Sequence, residues 1–404
     1  MTAGEENGGD SDVNYSFALD KSLNEQQMEL LYGKLIYSIE GIVSCIVDAD
    51  NHEVVLDITD PERLPVIEDT ITALQEEVKR VRTVKRRVIK STQQGGITIQ
   101  DAAVTQNADS HDFTLHKELG AEMPAVLFKA LENVFTHLTE LFGAEKRKYP
   151  SLILQATLSK LNYIETYPQN IYLVSEIPHQ METLESVRHH EHFERIPRLS
   201  GYALTPAACF HCYEELEGQV VNGPLVLAST SNCFRHEAPW RLGKHRMNEF
   251  NVKELAFIGD AEFVRATRLQ AVEEIWALFT ALGLEGSIET ASDPFYFEED
   301  VLKGQHQLMA DMKYELICRL DGGKESFAIS SVNDMRQSLC KAFDIRDRNG
   351  NWQHSGCVGF GIERWMYALF ATYGNVLAFW PEPIRKLLGL ESEDHLEKGV
   401  EEKA

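Results

Sequence analysis

Apolar and polar positions change rhythm along this chain and predict its elements in turn. NYSFALD (14–20) alternates with the period of a strand, and NEQQMELLYGKLIYSI (24–39) carries apolar residues at helical spacing. GIVSCIVDAD and HEVVLDITD are two apolar runs split by an Asp-Asn turn signal, ERLPVIEDTITALQEEVKRV reads as a second helix, and KRRVIKS (85–91) as a last strand. The order β-α-β-β-α-β predicts a small ferredoxin-like domain over residues 13–95, behind a disordered N-terminus at 1–12. A polar, glycine-bearing stretch then predicts a linker over 96–118.

Residues 119–388 read as a larger α+β domain, and 389–404 as a solvated acidic tail. PAVLFKALENVFTHLTELFGA is an amphipathic helix with Leu127, Leu131, Val134, Phe135, Leu138 and Leu141 on one side, followed by the short strand YPSLILQ with Pro150. PLVLAST and NCFRHE read as strands, AEFVRATRLQAVEEIWALFTALG as a long helix, and GIERWMYALFATYG as another, with Ile362, Met366 and Leu369 or Phe370 at apolar spacing. Thus the pattern predicts an α+β domain.

Charge narrows the function classes. The 404 residues hold 39 Lys plus Arg against 63 Asp plus Glu, a formal net charge of -24, which argues against broad contact with nucleic acid or an anionic membrane. No apolar run reaches membrane-spanning length, and the acidic, glycine-rich start has no signal-peptide core, so a cytoplasmic protein is expected. Seven cysteines without framework spacing predict reduced thiols.

The most informative segment is CFRHEAPWRLGKHRMNEFNVKELAFIG (233–259). Arg235 and Glu237 alternate on one face of a strand, and Phe250 and Glu254 follow on the return strand, with Glu254 closing it. Such a hairpin can present an arginine, a carboxylate and an aromatic ring to one ligand; it can equally be an amphipathic hairpin with a solvated face. In HSGCVGFGIERW (354–365), Cys357 precedes Gly359, Gly361 and Arg364, and taken alone is a small buried residue.

Taken together, Arg-x-Glu, the loop, Phe-x-x-x-Glu and the later Gly-x-Gly-x-Glu-Arg resemble the second and third signature motifs of class II aminoacyl-tRNA synthetases, closest to the seryl branch. Pro150 after its long helix is similar to the first, dimer-building motif, and the resemblance spans roughly residues 120–385. It implies ATP as substrate, with Arg235 on the α-phosphate and the reacting carboxylate, Glu237 on the adenine amino group, Phe250 stacked on the base and Arg364 on the γ-phosphate. It also implies an antiparallel sheet flanked by helices, and a homodimer.

Cys209 in TPAACFHCYEEL, with Glu254 and Cys357, resembles the Zn²⁺ site of methanogen-type seryl-tRNA synthetases and of their truncated relatives, the amino acid:[carrier protein] ligases. In those families the metal binds the substrate's amino group, and two thiolates with a carboxylate leave a fourth position open. Cys209 and Cys212 also form a C-x-x-C, so half of a structural zinc site or a redox pair stays open as an alternative, with Cys212 otherwise packed behind the site. Cys45, Cys233, Cys318 and Cys340 read as core.

SDPFYFEEDVLKGQHQLMADMKYELIC and AISSVND resemble segments of the truncated relatives. The acidic residue expected just before the serines is replaced by Phe327 or Ala328, which leaves Mg²⁺ with only Glu325 as a nearby candidate. The short N-terminal helices cannot form the long helical arm with which seryl-tRNA synthetases reach tRNA. The resemblance therefore implies activation of a small amino acid, glycine or alanine from the TPAAC segment, and transfer to the phosphopantetheine thiol of a carrier protein. An atypical tRNA-charging enzyme and a non-catalytic amino-acid-binding paralogue are the alternatives. KRVRTVKRRVIK (79–90) is a basic helix end and edge strand, or else a surface for an acidic carrier or RNA.

Overall fold

The computed structural model describes residues 14–391 apart from 40, 49–50, 82, 93–121, 190–196, 294 and 296–297. The expected disordered start, the linker over 96–118 and the tail beyond Glu391 lie outside the described residues. Two compact units emerge, one of residues up to Lys85 with Ala238–Arg241 and Ser292–Met309, the other of the remainder.

In the first unit β1 (Asn14–Ala18), α1 (Glu25–Ser38), β2 (Ile42–Asp48), β3 (Glu53–Ile58) and α2 (Leu64–Arg80) follow the predicted order. Asn24 caps α1, its side chain on the Gln27 amide while Gln27 reaches back to the Asn24 amide. The antiparallel sheet has order β1-β3-β2, and alternation along β3 buries Val54, Leu56 and Ile58 against Leu31, Leu35, Ile67 and Ile71.

The predicted sixth element departs from the ferredoxin-like plan. β4 (Val88–Ser91) pairs with β11 (Gly286–Thr290) at the edge of the second unit's sheet, leaving three strands in the small one. A short, basic strand with Val88 and Ile89 exposed has no apolar face to bury inside a small sheet and suits an edge. The basic segment is also answered locally: Lys79 pairs with Asp20 at 2.6 Å, Lys90 with Glu273 at 2.7 Å, and Arg87 with Asp311.

The second unit continues with α3 (Glu122–Glu140), β5 (Glu145–Arg147), β6 (Leu152–Leu154), α4 (Gln155–Lys160), α5 (Tyr163–Thr166), β7 (Leu173–Glu176), α6 (Met181–Arg188), β8 (Arg198–Leu204), α7 (Cys209–Glu215), β9 (Leu225–Phe234), β10 (Glu249–Gly259) and α8 (Ala261–Ala281). After β11, helix α9 (Glu298–Met309) belongs to the first unit; then come β12 (Lys313–Leu320), β13 (Glu325–Arg336), α10 (Ser338–Ala342), β14 (His354–Gly361), α11 (Ile362–Tyr373) and α12 (Glu382–Leu388). Eight strands form one sheet in the order β4-β11-β12-β13-β14-β10-β9-β5, antiparallel except where β5 joins β9. A second sheet has order β6-β8-β7.

Period-two alternation divides the large sheet into two different faces. Leu255, Phe257, Val358 and Phe360 point to a core shared with α3, α8 and α11, where Phe135 stacks on Phe360 at 4.7 Å and the buried Trp365 donates to Ser330 Oγ at 3.0 Å. Glu254, Ala256, Cys357, Gly359 and Gly361 fall on the other face, against α7 and α10. Of the residues expected on the buried side of α3, Leu127, Leu131, Phe135 and Leu138 are buried and Val134 partly so. Leu141 is exposed, because the helix stops at Glu140 and the next residue turns off its axis.

Gly356 joins fold and site. A Cβ there would meet the Phe257 ring at 2.4 Å and the Asn333 carbonyl at 2.6 Å, so Gly356→Ala should cost about 1–3 kcal/mol by overpacking. Denaturant unfolding tests this; an unchanged midpoint would mean that the strand can shift away without cost.

Candidate active site

The hairpin of β9 and β10 supplies one half of the site. The two strands expected at 224–237 run as one, β9, which ends at Phe234, so Arg235 and Glu237 follow the strand instead of alternating on it. Backbone and side chain of Asn248 hold them there: the Arg235 amide donates to its carbonyl at 2.8 Å and the Glu237 amide to its Oδ1 at 3.0 Å. The Arg235 guanidinium donates to the Pro206 carbonyl at 3.3 and 3.2 Å and lies 5.3 Å from the Phe250 ring centroid, a cation–π distance. Both oxygens of Glu237 accept from Arg246 at 3.1 Å.

Arg364, at the start of α11, donates to the His245 carbonyl at 3.0 Å and the Ala328 carbonyl at 2.8 Å. Burial, with Arg246 and Arg235 close by, lowers its pKa to about 10, while Glu315 and Glu237 act in the opposite sense. Three guanidinium groups therefore share one neighbourhood, which is the charge pattern that receives a polyphosphate. Next door, Glu363 accepts from the amide and the side chain of Asn251 at 2.8–3.0 Å and straps α11 to β10. Arg246 was not found by sequence reasoning: it sits in a loop of no period, and its place in the quoted segment was the signal available.

The other half is a donor group of Cys209, Glu254 and Cys357, all buried, with ligand atoms within 4.8 Å of one another. Cys209 opens α7, and its amide donates to the Glu254 carboxylate. Glu254 lies in the middle of β10, not at its end, because β10 runs on to Gly259. Cys357 lies within β14 opposite Ala256, one pair along from Glu254 on the same face, and accepts from Asn333 Nδ2 at 3.5 Å. Burial raises the Glu254 pKa against the hydrogen bonds from Cys209, and the Cys209 thiol is pushed well up by its bond to Cys357, by burial and by the Glu254 charge. Two sulfurs and an oxygen held this closely fit Zn²⁺, since a divalent cation would convert unfavourable buried anions into ligands.

Cys212 does not join them; it lies on the buried side of α7 in the apolar cluster behind the site, its thiol pushed up to about 12 by burial. Among the described residues no other group of three such donors converges. Cys45, Cys233, Cys318 and Cys340 are buried, as their apolar surroundings predict. Glu325 fails as a site-face carboxylate: it accepts from the Tyr367 hydroxyl at 2.9 and 3.1 Å, on the core-facing side with Phe327. Ala328 is on the site side, and so is Glu315, opposite Ser331 in register and paired with Lys313 at 3.0 Å.

Residues 193–373 match the family described as tRNA synthetase class II core domain (G, H, P, S and T). This stretch is thus similar to a class II tRNA synthetase core. An amino acid–[acyl-carrier-protein] ligase of Bradyrhizobium diazoefficiens is 29% identical over 62% of this chain and 78% of its own. Type-2 serine–tRNA ligases of Methanocaldococcus jannaschii and Methanopyrus kandleri are 29% and 26% identical, each over 64% of this chain. Those matches span about half of the two serine–tRNA ligases, 53% and 54%. The M. kandleri seryl-tRNA synthetase, solved in complex with A. aeolicus tRNASec, shares the fold at TM-score 0.63 and 22% identity, over 95% of this chain and 78% of that one. No described helix of the synthetase-like chain is long and apolar enough to cross a membrane.

Zinc titration should find one ion per chain, with Cys357→Ser reducing the affinity. Because burial and the neighbouring groups raise the Cys209 pKa well above that of a free thiol and shift Glu254 in the same direction, zinc must displace the thiol proton, so binding expels protons and weakens as pH falls. Calorimetry in two buffers of different ionisation enthalpy reads this directly; stoichiometric zinc retained by Cys357→Ser would remove Cys357 from the ligand set.

Proposed function

We propose that this protein activates a small amino acid with ATP and passes the aminoacyl group to the phosphopantetheine thiol of a carrier protein. The observation that carries the reading is the arginine neighbourhood and the buried Cys209–Glu254–Cys357 group on one sheet face, joined by strand β10. Zinc, when bound to those three residues, would supply a Lewis-acid position for the substrate's α-amino group. All three are buried, which suits a small substrate such as glycine or alanine.

In the first step a substrate carboxylate oxygen attacks the α-phosphorus and the bond to pyrophosphate breaks. Arg235 would hold the α-phosphate and the attacking carboxylate, Phe250 and Glu237 the adenine, and Arg364 the γ-phosphate. Because Arg235 is already anchored on the Pro206 carbonyl, its charge is aligned before the reaction and little reorganisation is required. Glu315 is the carboxylate we assign to Mg²⁺, being on the site face and close enough to Arg364 to offset its charge. In the second step the carrier thiol loses its proton, its sulfur attacks the acyl carbon, and AMP leaves.

Relatives named as amino acid–[acyl-carrier-protein] ligases support the carrier as acceptor, and the reading includes a homodimer. Relatives named as type-2 serine–tRNA ligases support tRNA as the second reading. Amino-acid-dependent ATP–pyrophosphate exchange on zinc-loaded protein tests the shared first step, and Arg235→Ala should lower it by roughly 10²-fold or more. Mass spectrometry of a phosphopantetheinylated carrier protein, beside a tRNA-charging assay, separates the acceptors. Exchange unaffected by Arg235→Ala would sink the adenylation reading, and charging of tRNA with no carrier thioester would replace the first acceptor by the second.

A further inference from the structure

Neither the arginines nor the donor group accounts for a buried polar relay behind them. Thr205 Oγ1 and His211 Nε2 are 3.1 Å apart, His211 Nδ1 and Glu214 Oε2 are 3.3 Å apart, and Thr157 Oγ1 donates to the other Glu214 oxygen at 2.6 Å. Thr205 and His211 are 0% and 4% exposed, so the threonine hydroxyl cannot meet a substrate and the array is no nucleophilic triad. A carboxylate only accepts, so the tautomer that joins all three groups has the His211 Nδ1 proton directed at Glu214 and Nε2 accepting from Thr205. The Tyr149 ring stacks on the imidazole at 5.4 Å, closing the other side.

What this relay holds is the short segment 205–209. Its first residue is tied by backbone bonds to Ser151 at 2.9 Å and Phe234 at 2.8 Å. Its second supplies the carbonyl that grips Arg235, and its last is Cys209, whose amide lies on Glu254. One five-residue stretch thus carries a contact from each half of the site.

We propose that His211 is a positioning residue, fixing segment 205–209 so that the Cys209 ligand and the carbonyl that holds Arg235 are set by one hydrogen-bond relay. The assignment rests on the adenylation reading for its consequence in turnover, but its local effect is measurable without turnover. Thr205 and His211 act as one unit, so removing either should have the same effect as removing both. Second-layer partners of metal ligands typically matter by 10–100-fold in affinity.

The test compares His211→Phe, which keeps a ring against Tyr149, with Thr205→Val, the double variant and His211→Gln, which restores an acceptor. Hydrogen exchange of the peptide over 205–212 should accelerate at least tenfold in the first three, and zinc affinity should fall about 10–100-fold, with His211→Gln recovering part of both. The amino-acid KM should rise more than kcat falls. If His211→Phe unfolds, Thr205→Val, which exchanges one hydroxyl for a methyl, decides. Unchanged exchange and zinc affinity in Thr205→Val, or additive effects in the double variant, overturn the proposal even if the wild type adenylates. Wild-type protein that activates no amino acid would instead sink the adenylation reading, while the exchange measurement still judges the relay.

Discussion

Three ionisable donors buried within 4.8 Å of one another are the constraint around which this fold is arranged. An isolated carboxylate taken out of water is strongly disfavoured, and a neighbouring thiolate compounds the cost. The interior has two responses: hold the group protonated, which the raised pKa values of Glu254 and Cys209 describe, or bring in a cation. A purely structural packing role would more simply be filled by apolar residues of similar volume. Retaining a carboxylate at the centre of an eight-stranded sheet makes sense when something positive is meant to arrive.

Strand β10 makes that arrival relevant to ATP. Its even-numbered positions place Phe250 beside Arg235 and, two pairs further along, Glu254 beside the thiols, so the spacing between the two halves follows from the strand repeat of about 3.3 Å per residue. Its odd-numbered positions place Leu255 and Phe257 in the core under α8 and α11. A one-residue slip of register would bury the arginine-side ring in the helix layer and put core residues in the site, so core packing and site geometry enforce each other. Glu363 on Asn251 and Arg364 on Ala328 then lock α11 to the same surface.

Much of this was legible in the residues because it is written in period. Strand β10 and helices α8 and α11 read directly from alternation and helical spacing, whereas the glycines of β14 hide a strand, and the donor residues from separate segments come together by resemblance to synthetase motifs. What period cannot convey was misjudged. Arg235 and Glu237 alternate in sequence, yet they follow the end of β9 and are held by Asn248. Arg246 lies in a loop, Glu325 fell on the core-facing side because a bulge near Leu316 and Ile317 resets the parity of β13, and His211 looks like one polar residue in a helix until Thr205 and Glu214 are seen around it. The strand β4 was recognised, but its partner was not, since pairing across some two hundred residues leaves no local trace.

The same electrostatics bear on the acceptor. A tRNA surface is held by cations available to phosphates, and each such contact adds to the salt dependence of binding. Here the densest basic segment has Lys79, Arg87 and Lys90 engaged by Asp20, Asp311 and Glu273, within a chain of net charge -24. Diverting those cations to RNA would require breaking ion pairs and bringing a polyanion to an acidic protein. A carrier delivers only the thiol at the end of a flexible phosphopantetheine arm to the acyl carbon, so its body need not displace those ion pairs. Charge distribution thus supports the carrier reading on grounds independent of any relative, and it does so without weakening the adenylation chemistry, because the arginine cluster at the site is local while the acidity is spread over the whole chain.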